Sequence, residues 1–209
     1  MHRFSKKIAK TYNERFKDFG PVPEASLWFS KERQITRFQI LTDQLLNCHL
    51  THPAHIGDIG CGYGEYFRYL NLEHPSSFEH YYGYDIAANL IDYCKANLVS
   101  KKASFFVDQV PKFDLDITVM SGTFNLSATK ELISWKSYVY SMLKSIWKKT
   151  RIAMIFNLQV KHQSEITEDR IVYFQVEEIT SLCEEYFGPT KVIYHPRLQN
   201  DATFLVQKL

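Results

Sequence analysis

The chain has 209 residues, enough for one domain with a sizeable core, and an ordinary globular apolar share of 45%. A net charge of +2 gives no overall case for a nucleic-acid partner, and no apolar run approaches the ~20 residues of a membrane span. The first residues, Met1 to Lys7, lack the apolar core of a secretion signal.

Charge and aromatic content are nevertheless uneven. Residues 1–37 hold nine Lys or Arg against four acids, and residues 130–151 hold six against Glu131. Both stretches read as solvated helix faces or as attraction for an anionic ligand or surface. The chain is rich in rings, with 13 Tyr and 15 Phe, which favours an aromatic pocket. Cys48, Cys61, Cys94 and Cys183 form no C-x-x-C pair, so no zinc or redox motif is signalled. Scattered single thiols fit a reducing cytoplasm.

In chain order, Phe4, Ile8, Tyr12, Phe16 and Phe19 fall three or four apart with lysines between them, which predicts a basic amphipathic helix over 4–19. Gly20-Pro21-Val22-Pro23 ends it. Such a helix docks on its own domain or makes a weak peripheral contact with a membrane. Ser30 is a suitable N-cap for a second helix over 31–49, with Ile35, Phe38, Leu41 and Leu45 inward. Residues 1–50 are expected to form a helical cap, or lid, over a second unit at 51–209. Aromatic residues of the cap, Tyr12 and Trp28, are expected to shape a substrate pocket. His49, His52 and His55 are spaced like a ligand comb, but Pro53 breaks any helix there, so they read as linker and surface residues.

Alternating strands and helices follow. Strands are expected at 55–60, 80–86, 103–108, 116–121 and 152–158, with helices at 63–73, 87–98 and 130–149 between them. Residues 159–175 read as irregular and 176–187 as a helix. Strands at 190–195 and 202–208 are joined by a turn at 196–201. Repeated alternation predicts a parallel sheet covered by helices on both faces. The last two strands are too closely linked to be parallel and must pair antiparallel.

In such sheets ligands bind beyond the carboxyl ends of the strands. The first strand ends in Asp58-Ile59-Gly60-Cys61-Gly62-Tyr63-Gly64, where bare backbone lets a ligand approach. Asp85 ends the second strand, where a carboxylate accepts from a ribose diol, and Asp108 ends the third, where it accepts from an adenine amino group. Each alone reads equally well as a turn or N-cap residue; together they form a set. A dinucleotide fingerprint would need glycine or alanine where Glu65 stands, and a glutamate there repels a pyrophosphate at the helix N-terminus. That argues against a nicotinamide-dependent oxidoreductase.

The glycine motif, Asp85, Asp108 and the Asp116–Gly122 strand resemble those of the class I S-adenosylmethionine-dependent methyltransferases. The flanking Tyr12–Phe16, Ser30–Phe38, Ser121–Asn125 and Asn200–Thr203 segments resemble a bacterial and archaeal small-molecule group of that family. The resemblance covers about residues 50–209 and implies a seven-stranded sheet of order 3-2-1-4-5-7-6. It implies S-adenosylmethionine as cofactor, with Gly60, Gly62 and Gly64 under its methionine and ribose. Asp58 would orient the amino group, Asp85 hold the ribose and Ile86 lie on the adenine. Asp108 would read the adenine, helped by Val107 or Gln109. Ser121 would lie near the methionine end, and Arg37 would reach a carboxylate.

By topology, the acceptor side should draw on His195, Asn125, His162, Tyr173, Asn200 and Asp201. Of these, His195 suits a general base and Asn125 a positioning role. The expected acceptor is a small molecule, with oxygen slightly preferred over nitrogen. Two alternatives stay open: a non-catalytic cofactor-binding subunit, and a nucleic-acid methyltransferase using the basic first helix. Against the latter, Ser121-Gly122-Thr123-Phe124 stands where many amino-group modifiers carry N-P-P-[YF].

Overall fold

A computed structural model of the chain describes residues 2–26, 30–48 and 50–208. Helix α1 (Arg3–Phe19), a short 3-10 turn and helix α2 (Lys31–Leu46) precede β1 (Ala54–Ile59). Then come α3 (Glu65–Glu73), β2 (Phe78–Asp85), α4 (Ala88–Asn97), β3 (Ala103–Val107), β4 (Leu115–Met120), α5 (Leu132–Trp147) and β5 (Thr150–Gln159). A two-residue hairpin, β6 (Glu165–Ile166) with β7 (Val172–Tyr173), leads to α6 (Val176–Tyr186), β8 (Thr190–Ile193) and β9 (Asp201–Gln207).

The main sheet has seven strands in the order β3-β2-β1-β4-β5-β9-β8. The first five run parallel; β9 lies antiparallel between β5 and β8. Counting only these seven strands, this is the expected 3-2-1-4-5-7-6 arrangement with one strand reversed. Alternate side chains of β5 feed opposite cores, as the strand period requires. Ala153 and Ile155 join α2, α3 and α4 on one face. Met154, Phe156 and Leu158 join α1, α5 and α6 on the other.

Three expectations are corrected here. Helix α2 stops at Leu46 rather than at residue 49. It also lays Phe38, Leu41 and Leu45 into one core with Ile56, Ala153, Ile155 and Leu205. A helix assigned to a separate cap is therefore part of the layer on that sheet face, and a boundary at residue 50 cuts through a core. Finally, 159–175 is not wholly irregular. The β6–β7 hairpin forms there, and bridges Leu126–Ile171 and Val160–Phe174 stitch it to the chain leaving β4 and β5. Trp28, with its expected aromatic-cap role, and His49 of the histidine comb lie outside the described residues.

Candidate active site

The parallel strands β1, β2 and β4 end on one edge, as does β5, and a cavity of about 260 Å³ opens there. Its floor is the run from Asp58 to Tyr63. Gly60 has φ of +79°, and a Cβ on it would come within 2.7 Å of Thr123, so glycine is required by both conformation and space. Gly62 also lines the cavity at positive φ. Gly64 is different. It does not line the cavity; a Cβ there would lie 2.2 Å from Leu98, so this glycine serves the packing of α3 against α4. Glu65 lines the wall and pairs with Arg68 at 3.1 Å.

The three acids all line the cavity. Asp58 is 2% exposed and accepts a hydrogen bond from the Tyr81 hydroxyl. Its other oxygen, Oδ1, is buried without a partner. Burial pushes its pKa up to about 7, with the Tyr81 hydrogen bond opposing and the Asp85 charge adding to the rise. Asp85 accepts from the Gly62 N–H at 3.0 Å and the Ala87 N–H at 2.8 Å. It therefore shapes the glycine loop as well as facing the cavity. Burial raises its pKa against those bonds. Asp108 accepts from the Gln109 N–H at 2.8 Å, and its own N–H donates to the Asp85 carbonyl. Ile86, Gln109 and Ser121 line the same space.

Helix α1 roofs the cavity. Ile8 and Tyr12 face in. At one end Ser5 Oγ donates to Gln109 Oε1 at 2.6 Å and contacts the Tyr138 hydroxyl at 3.0 Å. At the other, the Asn89 N–H donates to Asn13 Oδ1 at 3.0 Å, and Phe16 packs edge-on against Tyr93. Burial, then the Asp85 charge, pushes the Tyr12 hydroxyl up to about 12, so it stays protonated.

The acceptor-side candidates divide. Asn125, Tyr173 and Asn200 line the cavity. Asn125 Oδ1 accepts from the Gln159 N–H at 3.1 Å and its carbonyl from the Val172 N–H, so this residue pins the loop after β4 to β5 and the hairpin. His195 does not line it. The residue follows β8, the outermost strand, and its Nδ1 accepts from the Arg197 N–H at 3.2 Å, a turn-forming role. His162 is exposed and lies off the wall. Asp201 is 3% exposed and engaged by Arg37 and by Asn157 Nδ2, the latter at 2.8 Å. The structure thus removes His195, His162 and Asp201 from the cavity surface. It keeps Arg37 on the wall but commits its charge to Asp201.

Several wall residues are not marked by the sequence patterns above. Trp135 and Tyr138 of α5, Arg33 and Gln34 of α2, and Gln159 of β5 all face the cavity. Tyr81 and Asn157 act just behind it. Asn157 had a signal, being one polar residue in the apolar run Ile152–Leu158. The α5 residues had none, because their inward face depends on how the helix crosses the sheet.

The wall suits S-adenosylmethionine. Asp58 Oδ1 is a buried acceptor left for a cationic amino group, and Ser121 Oγ and Trp135 Nε1 are also buried without partners. Comparison with known proteins agrees. A methyltransferase-domain family model matches residues 57–151, from β1 into β5. Rv1506c of Mycobacterium tuberculosis, named as a methyltransferase, is 22% identical over 158 residues, covering 75% of this chain and 94% of its own. Magnesium protoporphyrin IX methyltransferase of Synechocystis, solved with S-adenosylhomocysteine, superposes with a TM-score of 0.66 at 10% identity, covering 98% of this chain and 99% of its own. The Burkholderia thailandensis 1,6-didemethyltoxoflavin-N1-methyltransferase, solved with its acceptor and the same product, gives 0.61 at 11%, covering 100% and 92%. Identities this low speak for the fold; the chemistry rests on the family model and the cavity. Sheet order, cavity and the match over residues 57–151 agree: the chain has the class I S-adenosylmethionine-dependent methyltransferase fold and is similar to that family.

Proposed function

We propose that the chain methylates a small acceptor bearing an anionic oxygen, such as a carboxylate or phenolate. One observation carries this reading: the cavity beside α1 has no histidine on its wall among the described residues. Its carboxylates stand at the glycine loop and the strand ends, and Tyr12 is held protonated. An acceptor that arrives ionised needs no base, only alignment and exclusion of water. Arg33 on the wall supplies a cation for it. The roof of α1 and the adjoining hairpin leave a small molecule the simplest fit. Similarity to enzymes whose names specify a porphyrin or a toxoflavin precursor supports that size class.

When bound, S-adenosylmethionine supplies an already activated methyl group on a sulfonium. The chain holds and shields it. Asp58 would take the amino group, Asp85 the ribose hydroxyls, and Asp108 with Gln109 and Ile86 the adenine. Gly60 and Gly62 would admit the sulfur end to the backbone, and Ser121 would face it. Asn125, Asn200, Gln159 and Tyr173 would orient the acceptor. Arg37 is assigned no direct ligand here, since Asp201 already engages it. Residues 1–19 would act as the lid, with α2 belonging to the sheet unit.

The test is to supply labelled S-adenosylmethionine with fractionated cell extract. Label should enter low-molecular-weight material as a base-labile ester or an ether. Label recovered in RNA, DNA or protein would overturn the small-molecule reading, and label on nitrogen would overturn the oxygen preference. Cofactor binding without transfer to any fraction, with a stable partner on pull-down, would mean a non-catalytic subunit.

A further inference from the structure

A buried ion pair is a poor stabilising device, because desolvation offsets most of the attraction. The Arg37–Asp201 pair is 6% and 3% exposed at its two ends, and burial pushes both residues toward their neutral forms while each partner opposes it. Its location accounts for it better than stability does. Arg37 sits on α2, whose apolar face is docked on the sheet. Asp201 begins β9 and also accepts from Asn157 Nδ2 at 2.8 Å. Asn157, 1% exposed on β5, turns its Oδ1 to the Gly122 N–H at 2.6 Å. The amide orientation is forced. A backbone N–H can only donate and a carboxylate can only accept, so one carboxamide joins them in one way. Gly122 and Ser121 line the cavity, and Thr123 closes the chain by donating to the Ile59 carbonyl at 2.6 Å, beside Gly60.

We propose that Arg37, Asp201 and Asn157 form a positioning relay that couples the seating of α2 to the Ser121–Gly122 corner of the cofactor cavity. None of the three is a catalytic residue. Arg37 acts through Asp201, and Asp201 through Asn157, on a backbone corner pressed against the glycine loop. The inference rests on that corner belonging to the cofactor site. It replaces a direct carboxylate contact of Arg37 with an indirect one. Asn157 is the least replaceable member, because aspartate at its position sets two carboxylates against each other unless they share a proton.

The test is calorimetry of S-adenosylhomocysteine with the wild type, R37Q, N157D and the double variant, each checked for folding by circular dichroism. N157D should bind about tenfold more weakly than the wild type near pH 8, as expected when the buried Asp201 carboxylate loses its amide donor and meets a second carboxylate. Its deficit relative to the wild type should shrink near pH 6, where one proton bridges the two acids. R37Q should weaken binding too, and the double variant should bind no worse than the weaker single. A pH-independent deficit, fully multiplicative losses or unchanged affinities would overturn the relay. If N157D does not fold, hydrogen exchange at the Gly122 amide in R37Q decides: faster exchange than in the wild type supports the relay and unchanged exchange overturns it. That measurement needs no ligand. Wild-type protein that fails to bind the product would count against the cofactor site and leave the relay to the exchange result.

Discussion

At the scale of single residues, Asp58 makes the sharpest claim. Its folded pKa of about 7 stands above the ordinary 3.8 because burial outweighs the Tyr81 hydrogen bond. The folded state therefore holds a proton that the unfolded chain has released. The stability this contributes is complete below the ordinary value and is lost as pH rises from about 4 through about 7. Without ligand, D58N should melt higher than the wild type at pH 8 and show a flatter pH profile between those limits. Thermal melts across that range check it, and parallel profiles would contradict it. A ligand with a cationic amino group prefers the ionised carboxylate, so S-adenosylmethionine should bind more tightly as pH rises through about 7, with proton release. Calorimetry in two buffers of different ionisation enthalpy reads that release, and D58N should abolish it. Asp58 was legible in the sequence because it ends an apolar strand just before the glycines. Its Tyr81 partner was not, since that contact depends on the register between β1 and β2.

At the scale of elements, glycine 64 and helix α2 show where local reading stops. The D-x-G-x-G-x-G spacing marked a ligand loop, and two of its glycines do line the cavity. The third is a packing glycine at φ +84°, the N-cap of α3. G64A should cost about 1–3 kcal/mol in denaturant melts, from backbone strain and collision with Leu98, and the loss should appear without ligand. An unchanged midpoint would contradict this packing role. The apolar spacing of α2 was equally readable, but spacing cannot say which surface a face meets. It meets the sheet, and Leu41 is fully buried there. L41A should lower unfolding free energy by about 2–5 kcal/mol. A loss under about 1 kcal/mol would restore α2 to a detachable cap. The β6–β7 hairpin escaped reading because its strands are two residues each, held by the bridges to Leu126 and Val160 rather than by their own propensity.

For the whole molecule, the strand–helix alternation and the short link between the last strands make the architecture legible in the sequence. Right-handed crossovers bring the ends of β1, β2 and β4 to one edge, so Asp58, Asp85 and Ser121 converge however far apart they lie in the chain. The acceptor side was far less readable. It depends on segments that cross the edge, where position follows from tertiary packing, so local sequence points to His195 at the outer strand and not to Trp135 and Tyr138 on the wall. The basic first helix also finds its explanation at this scale. Its inner side lines the cavity while its four lysines stay in solvent, and no described helix is long and apolar enough to cross a membrane.

The central claim is that this sheet edge is a cofactor site built at the strand ends of this chain. Calorimetric titration of the isolated protein with S-adenosylhomocysteine tests it most directly. The wild type should saturate at one site, and D85A, which loses a buried charge-assisted acceptor, should bind at least about tenfold more weakly. No binding by the wild type, or equal binding by D85A, would contradict the account.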